Sequence, residues 1–385
     1  MVQEAKAAMV FAHEMLREIY EQPEALVRTL EMYVERGALK QDVASRLAIW
    51  PNSAGEILIA ASGSSRHSGL YGEILLEDLC GLAVDVEYAS EYSCRGGSGF
   101  MNVRQPSVLV LSQSGETSDT LAALKAARRQ SHRTLAITNA AASTMAVKSD
   151  VSMPLGAGHE KAIPATKSFT CQLAVLYLLA LYEGARLGRM SAPDLTAHLA
   201  EIEALPAVLA AHLDEWREQA AGLAERYKAA ATFLYLGRGI HYAIAREGAL
   251  KLKEASYVPA EGYPVGELKH GPNALVSERV PLVVIATVDR ALEPSVMRYG
   301  KTLELLRDMK VQGARVIVVA NEGDGVAAEL GSDCVFIPKA SEYLLPLMEV
   351  VPLQLFAYFM ALEHGVDVDR PRNLSKAVIE EGTAA

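Results

Sequence analysis

The chain has 385 residues, half of them hydrophobic and 22% charged, with a formal net charge of −10. That length exceeds one ordinary core and suits two domains at about 150 residues each. An acidic chain that gathers Lys and Arg onto no single face is a poor partner for nucleic acid. The dispersed cysteines Cys80, Cys94, Cys171 and Cys334 form no CxxC pair and have no histidine at ligand spacing, so we expect reduced thiols, no metal and a cytoplasmic protein.

In chain order, "MVQEAKAAMVFAHEMLREIY" sets Glu4, His13, Glu14 and Glu18 among apolar residues, the pattern of an amphipathic helix and not of a signal peptide. Helices are expected over residues 1–45. Strand candidates follow at "EILIAAS" (from Glu56), "SVLVLS" (from Ser107), "RTLAIT" (from Arg133) and "DVSMPL" (from Asp150), and then a helix, "SFTCQLAVLYLLALYEGARLG". The apolar run inside that helix, Ala174 to Tyr182, falls short of the ~20 residues a membrane span needs and reads as a buried or interface helix. Residues 191–228 carry apolar positions at three- and four-residue spacing and read as helices joining two domains. The alternation then repeats: "TFLYLG" (from Thr232), "PLVVIA" (from Pro281), "ARVIVVA" (from Ala314), "DCVFIP" (from Asp333) and the helix "VPLQLFAYFMALEHG". The same order with similar gaps implies a tandem duplication of an α/β unit with a parallel sheet, over 46–190 and 229–368, before a tail at 369–385.

Two strand-to-helix corners carry unusual chemistry. In "VLVLSQSGETSDT" a buried strand ends at Ser112 and yields Gln113, Ser114, Gly115 and Thr117 before a helix opens. Helix N-termini present unpaired N–H groups, and hydroxyls add donors, so this corner suits an anion such as phosphate. It lacks a P-loop lysine and the G-x-G-x-x-G order. Helix capping by Ser or Thr is the simpler alternative. A second corner, "IAASGSSRHSG", brings Ser62, Gly63, Ser64 and Ser65 to the same place after the preceding strand candidate, and neighbouring loops of a parallel sheet converge at its C-terminal edge.

In "REGALKLKEASYVPAEGYPVGELKHGP", Glu247, Lys251 and Glu254 fall on one helix face at i, i+4 and i+7. For an arbitrary helix a solvated salt-bridged face is the commoner explanation, but Glu261, Glu267, Lys269 and His270 in the next turn and loop add an ionisable density that weakens it here. His270 precedes Gly271-Pro272 and so sits on a loop that can aim it. The tail carries Arg370, Arg372, Asn373 and Lys376. Folded over a site, Lys376 is a candidate amine nucleophile, and otherwise the tail is a solubilising end.

The stretches "MLREIYEQPEAL", "SGSSRHSG", "SQSGETSDTLAAL", "TKSFTCQL", "EGALKLKEASY", "GELKHGP" and "RPRNLSKAV" together resemble the sugar-isomerase (SIS) domain family. Within it they are similar, in order and from about Met15 to Ile379, to the isomerase half of glutamine–fructose-6-phosphate aminotransferases. The resemblance implies two tandem doubly wound parallel-sheet SIS domains with helical linkers. It implies that Ser65, Ser112, Gln113, Ser114 and Thr117 hold a sugar 6-phosphate, with Ser64, Ile163, Ala165 and Ser375 also lining the sugar site. Glu254 would shuttle a proton between C1 and C2 beside Lys251. His270 would help open the ring and reach the site from the partner subunit of a homodimer. Lys376 would form a Schiff base, and no cofactor is implied.

Two departures bear on function. The matches begin near what resembles the family's inter-domain linker, so no glutaminase segment is expected, and the expected activity is conversion of glucosamine 6-phosphate to fructose 6-phosphate and ammonia. Ala165 and Ser375 stand where the synthases carry serine and alanine. The rival expectations are a fructosamine-6-phosphate deglycase, an ammonia-dependent glucosamine-6-phosphate synthase and a non-catalytic phosphosugar sensor. The expected partner is a phosphorylated amino sugar, with neither nucleic acid nor membrane.

Overall fold

The computed structural model describes residues 11–51, 55–95 and 106–376. Residues 1–10, where the amphipathic N-terminal helix was expected to begin, and the tail beyond Lys376 lie outside the described residues. The first described elements are α1 (Glu14–Tyr20) and α2 (Gln22–Tyr33), opened by Pro23 in its first turn. A hairpin of two-residue strands pairs Val34–Glu35 with Ala38–Leu39, where the sequence reading had only helices. Arg36 and Gly37, both at positive φ, form its turn, which is the geometry a tight hairpin requires.

The first α/β unit comprises β1 (Glu56–Ala61), α3 (Gly63–Cys80), β2 (Ala83–Tyr88), β3 (Ser107–Ser112), α4 (Ser118–Arg129), β4 (Thr134–Thr138), β5 (Val151–Pro154) and α5 (Lys167–Arg186). Its strands form one parallel sheet in the order β2-β1-β3-β4-β5. A single helix, α6 (Ala192–Tyr227), crosses to the second unit. That unit comprises β6 (Phe233–Gly237), α7 (His241–Ser256), β7 (Ala260–Pro264), β8 (Leu282–Ile285), β9 (Val316–Asn321), β10 (Asp333–Ile337) and α8 (Leu345–Glu363). Its sheet is also parallel, in the order β7-β6-β8-β9-β10. The two orders are the same when counted from the start of each unit, so the duplication read from strand spacing is a duplication of topology. Each is the doubly wound order that switches direction between its first and third strands.

Each sheet holds an edge strand that the sequence reading missed. In β2, "AVDVEY" alternates polar and apolar residues, as a half-exposed edge does. In β7, "AEGYP" contains turn-forming Gly262 and Pro264 and reads as a loop. Gly262 is required there, because a Cβ would lie 2.6 Å from Arg246 Cα on the overlying α7.

One hydrophobic cluster runs through both units, from Leu109 and Ile137 under the first sheet to Val283 and Val319 under the second. The final helices α5 and α8 are its centre. Both are long and apolar enough to cross a membrane, so the apolar stretch around Ala174 is longer than the sequence reading had it. They are 94% and 89% buried inside the protein over those stretches. Continuous burial on all faces explains why neither shows an amphipathic stripe. Around this core α3 packs on α5, α7 on α8, and α3 on α7. The last contact brings a helix from one unit against a helix from the other, and the candidate site lies beside it.

Candidate functional site

The loops after β1 and β3 flank the switch point of the first sheet. Ser112, Ser114 and Thr117 turn their hydroxyls toward one another there: Ser112 Oγ lies 2.9 Å from Thr117 Oγ1 and 3.4 Å from Ser114 Oγ. Thr117 is the N-cap residue of α4, yet its side chain makes no capping bond. The simple capping explanation therefore fails for Thr117, whose hydroxyl faces its neighbours and not the helix. Backbone N–H groups of Gly115 and Glu116 donate to Ser112 Oγ and Ser114 Oγ, so part of the acceptor capacity of those oxygens is engaged by the backbone. Glu116 turns away, its carboxylate accepting from Thr144 N at 2.7 Å, which keeps negative charge out of the cradle.

Gly115 makes this turn possible. Its φ is +67°, and a Cβ would come within 2.1 Å of Ser143 Oγ and 2.8 Å of Thr138 Oγ1. In the first turn of α3, Ser65 is buried, and Gln172 Nε2 on α5 donates to its hydroxyl at 2.9 Å while Ser68 Oγ donates to Gln172 Oε1 at 2.8 Å. Sequence reasoning missed Gln172, which sits inside an apolar helix and is legible only as a polar residue with no surface to face.

The face of α7 that carries Glu247, Lys251 and Glu254 is not solvated. Glu247 and Lys251 are buried, and Lys251 Nζ lies 2.5 Å from Glu254 Oε2 and 3.4 Å from Glu247 Oε1. Burial opposes the Lys251 charge, but the two carboxylates outweigh it and raise the lysine above its ordinary range. Burial likewise opposes ionisation of Glu247, and Lys251, His67 and Ser64 overcome it, holding that carboxyl below its usual range. Glu254 keeps 22% of its side chain exposed, and it opens onto the cavity.

The tail folds back over the site. Arg372 stacks on Tyr257, 4.3 Å from the ring centroid, and its N–H donates to Tyr257 Oη. Asp369 accepts from Glu14 and Met15 N–H groups and so caps α1, while its carbonyl accepts from Ile163 N. Lys376 Nζ donates to Glu160 Oε2 at 2.7 Å and to Ala162 O at 2.6 Å. Glu160 is fully buried; burial opposes its charge, but Lys376 and Ser168 hold it below the ordinary carboxylate range. Sequence reasoning passed over Glu160, although an acid between Gly158-His159 and an apolar stretch was the available signal.

One cavity of about 170 Å³ collects these groups. Ser64, Ser65, Ser112, Gln113, Ser114, Thr117, Ile163, Ala165, Lys251, Glu254, Ser375 and Lys376 all line it. His270 does not; it stands exposed at the end of a 3₁₀ turn, Val265–His270, followed by Gly271 at φ +145°. The arrangement brings hydroxyl donors, a carboxylate–ammonium pair and a lysine amine into one cavity.

Comparison with known proteins agrees with this architecture. The SIS domain family matches residues 52–182 and 227–364. The glutamine–fructose-6-phosphate aminotransferase (isomerizing) of Chlorobaculum tepidum is 41% identical over 379 residues, and that of a Thermus thermophilus strain is 40% identical over 374. Each alignment covers 96% of this chain but 59% of the relative, so the chain spans under two thirds of their length. Among solved structures, the C-terminal domain of glucosamine-fructose-6-phosphate aminotransferase from Francisella tularensis superposes with a TM-score of 0.84 at 30% identity, covering 94% of this chain and 98% of that one. A glucosamine-6-phosphate deaminase from Thermotoga maritima shares the fold, with a TM-score of 0.70 at 22% identity over 95% of this chain and 99% of that one. Matched over both of its sheets, the chain belongs to the SIS domain family.

Proposed function

We propose that the protein is an isomerising deaminase that converts glucosamine 6-phosphate and water to fructose 6-phosphate and ammonia. The observation that carries this reading is the single cavity lined by the hydroxyl cradle, Glu254 with Lys251, and Lys376. The cradle takes the 6-phosphate, supported by the N-terminus of α4. Fixed at that end, the open-chain sugar presents C1 and C2 to Glu254. The carboxylate removes the C2 proton to give an enolamine and returns a proton to C1, leaving an imine at C2. A positioned acid/base group of this kind contributes about 10²–10⁴ in rate.

Water attacks the C2 imine and releases ammonia, either directly or after the Lys376 amine has displaced the ammonia to form its own Schiff base. To attack, Lys376 gives up a proton, and Glu160, 2.7 Å away, is placed to accept it. At low ambient ammonia, mass action favours release. His270 stands outside its own chain's cavity, which fits ring opening by a histidine of a second copy and a homodimer with shared sites.

The test supplies purified protein with glucosamine 6-phosphate and follows ammonia and fructose 6-phosphate. Turnover that falls at least 100-fold in Glu254→Gln, with sugar phosphate still bound, supports the reading. No turnover by folded protein sinks it. Turnover confined to fructose 6-phosphate plus ammonia assigns the synthase direction, and release of an amine from a fructosamine 6-phosphate assigns a deglycase. Binding without turnover, equal in Glu254→Gln, assigns a sensor.

A further inference from the structure

His67 does not line the cavity described above, yet it is buried where α3 of one unit meets α7 of the other. It lies on the first turns of α3, just past the cradle residues Ser64 and Ser65. Its Nδ1 is 2.8 Å from Oε2 of Glu247 on α7, a contact between residues 180 positions apart. Glu247 Oε1 is 3.4 Å from Lys251 Nζ, and Lys251 Nζ is 2.5 Å from Glu254 Oε2. Four side chains thus form one continuous line from the helix that carries part of the cradle to the carboxylate that opens onto the cavity. Ser64, which lines that cavity, also helps hold the Glu247 carboxyl below its usual range.

The protonation states follow from the surroundings. Burial pushes His67 below its ordinary value, Arg246 and Lys251 add to that, and Glu247 only partly offsets it. A carboxylate accepts and does not donate, so a neutral His67 carries its proton on Nδ1 and points it at Glu247. A Glu247 held at one oxygen keeps the other for Lys251. Without the imidazole, the Glu247 carboxylate is free to rotate, and the Lys251 ammonium can leave Glu254 to follow it.

We propose that His67 is a positioning residue: through Glu247 it holds the Lys251 ammonium against Glu254 and so fixes the carboxylate relative to a sugar anchored in the cradle. The proposal rests on the isomerase reading of the cavity. It assigns His67 no contact with substrate, and its effect belongs to the chemical step.

Three variants separate this role from simple packing. His67→Phe keeps the ring volume and removes the donor, His67→Asn places an amide N–H near the lost Nδ1, and Glu247→Gln alters the next link. With glucosamine 6-phosphate, we expect kcat to fall about 100-fold in His67→Phe, the scale of a 1 Å misplacement. KM should change by less than about threefold, because Ser112, Ser114 and Thr117 are untouched. His67→Asn should recover most of the rate, and Glu247→Gln should resemble His67→Phe. Equal rates in His67→Asn and His67→Phe, or a change in KM alone, would overturn the proposal.

A second measurement needs no turnover. In protein labelled with ¹³C at the Glu carboxyls, and with the Glu254 signal assigned by its loss in Glu254→Gln, that signal should move from its wild-type position in His67→Phe and stay in place in His67→Asn. If wild-type protein turns over nothing, the isomerase reading falls, and this signal alone decides the positioning role. An unmoved Glu254 signal in His67→Phe refutes it.

Discussion

Gly115 carries two constraints at once, a φ of +67° and a Cβ position already filled by Ser143 and Thr138. Its residue type was legible in the sequence as a tight turn, because hydroxyls and one glycine between a strand and a helix permit little else. The direction of the hydroxyls was not, since a capping serine and a cradle serine are the same residue in different rotamers. Gly115→Ala is expected to cost about 1–3 kcal/mol of stability. It should also raise the dissociation constant for a sugar 6-phosphate at least tenfold, because Ser112 and Ser114 flank the displaced turn. Calorimetric titration of folded variant protein checks this, and unchanged affinity would show that the cradle tolerates the shift. On α7, the i, i+4, i+7 spacing of Glu247, Lys251 and Glu254 was visible, but whether that face met water or protein was not. Burial of Lys251 to 1% exposure answers that, on a helix that packs against α8 and against α3, the latter more than 170 residues earlier in the chain.

The helix α1 and the loop after β5 show how an element outside both sheets controls a site residue. Glu18 on α1 accepts from Lys161 N at 2.5 Å and Ala162 N at 3.2 Å, and the same loop supplies Glu160 and the Ala162 carbonyl to Lys376. Burial, with a smaller contribution from Glu160, raises Glu18 to about 7. The folded protein therefore binds this proton more tightly than the unfolded chain, whose carboxyl titrates near its ordinary value of 4.5. Its contribution to stability is fully present below about 4.5 and is lost as pH rises through about 7. The difference in urea midpoint between wild type and Glu18→Gln should accordingly shift against wild type over that window, and a pH-independent difference would contradict it. The edge strands β2 and β7 teach the same lesson about elements. Buried central strands such as β3 and β9 announce themselves as apolar runs, whereas an edge strand with charges, Gly or Pro resembles a loop until a neighbour pairs with it.

Across the whole molecule, the duplicated topology places a second switch point between β6 and β8, and the chain fills it with its own charges. His241 Nδ1 lies 2.7 Å from Glu349 Oε1, which also accepts from Thr287 Oγ1 at 2.6 Å, and Arg298 pairs with Glu342. Burial opposes the His241 charge, but Glu349 and Glu342 raise it to about 10; burial also opposes Glu342, which His241, Ser295 and Arg298 draw down to about 2. Removing one member strands the others in a dry interior, so His241→Ala should lose about 3–5 kcal/mol, read from denaturant unfolding. A loss under about 1 kcal/mol would mean that the cluster relaxes or hydrates. If the cavity is completed by a partner's histidine, mixing Glu254→Gln and His270→Ala subunits should restore activity in hybrids, and confirmed hybrids without recovery would assign each site to one chain. What the sequence determined by itself was local: which runs are strands, which corners carry donors, where the repeat falls, and which residue types gather in each motif. These follow from patterns a few residues long, where side-chain period and backbone preference act directly. Only the tertiary structure decided that Lys376 meets Glu160 across 216 residues and His67 meets Glu247 across 180, because burial, charge state and direction of a side chain are set by whatever packs against it.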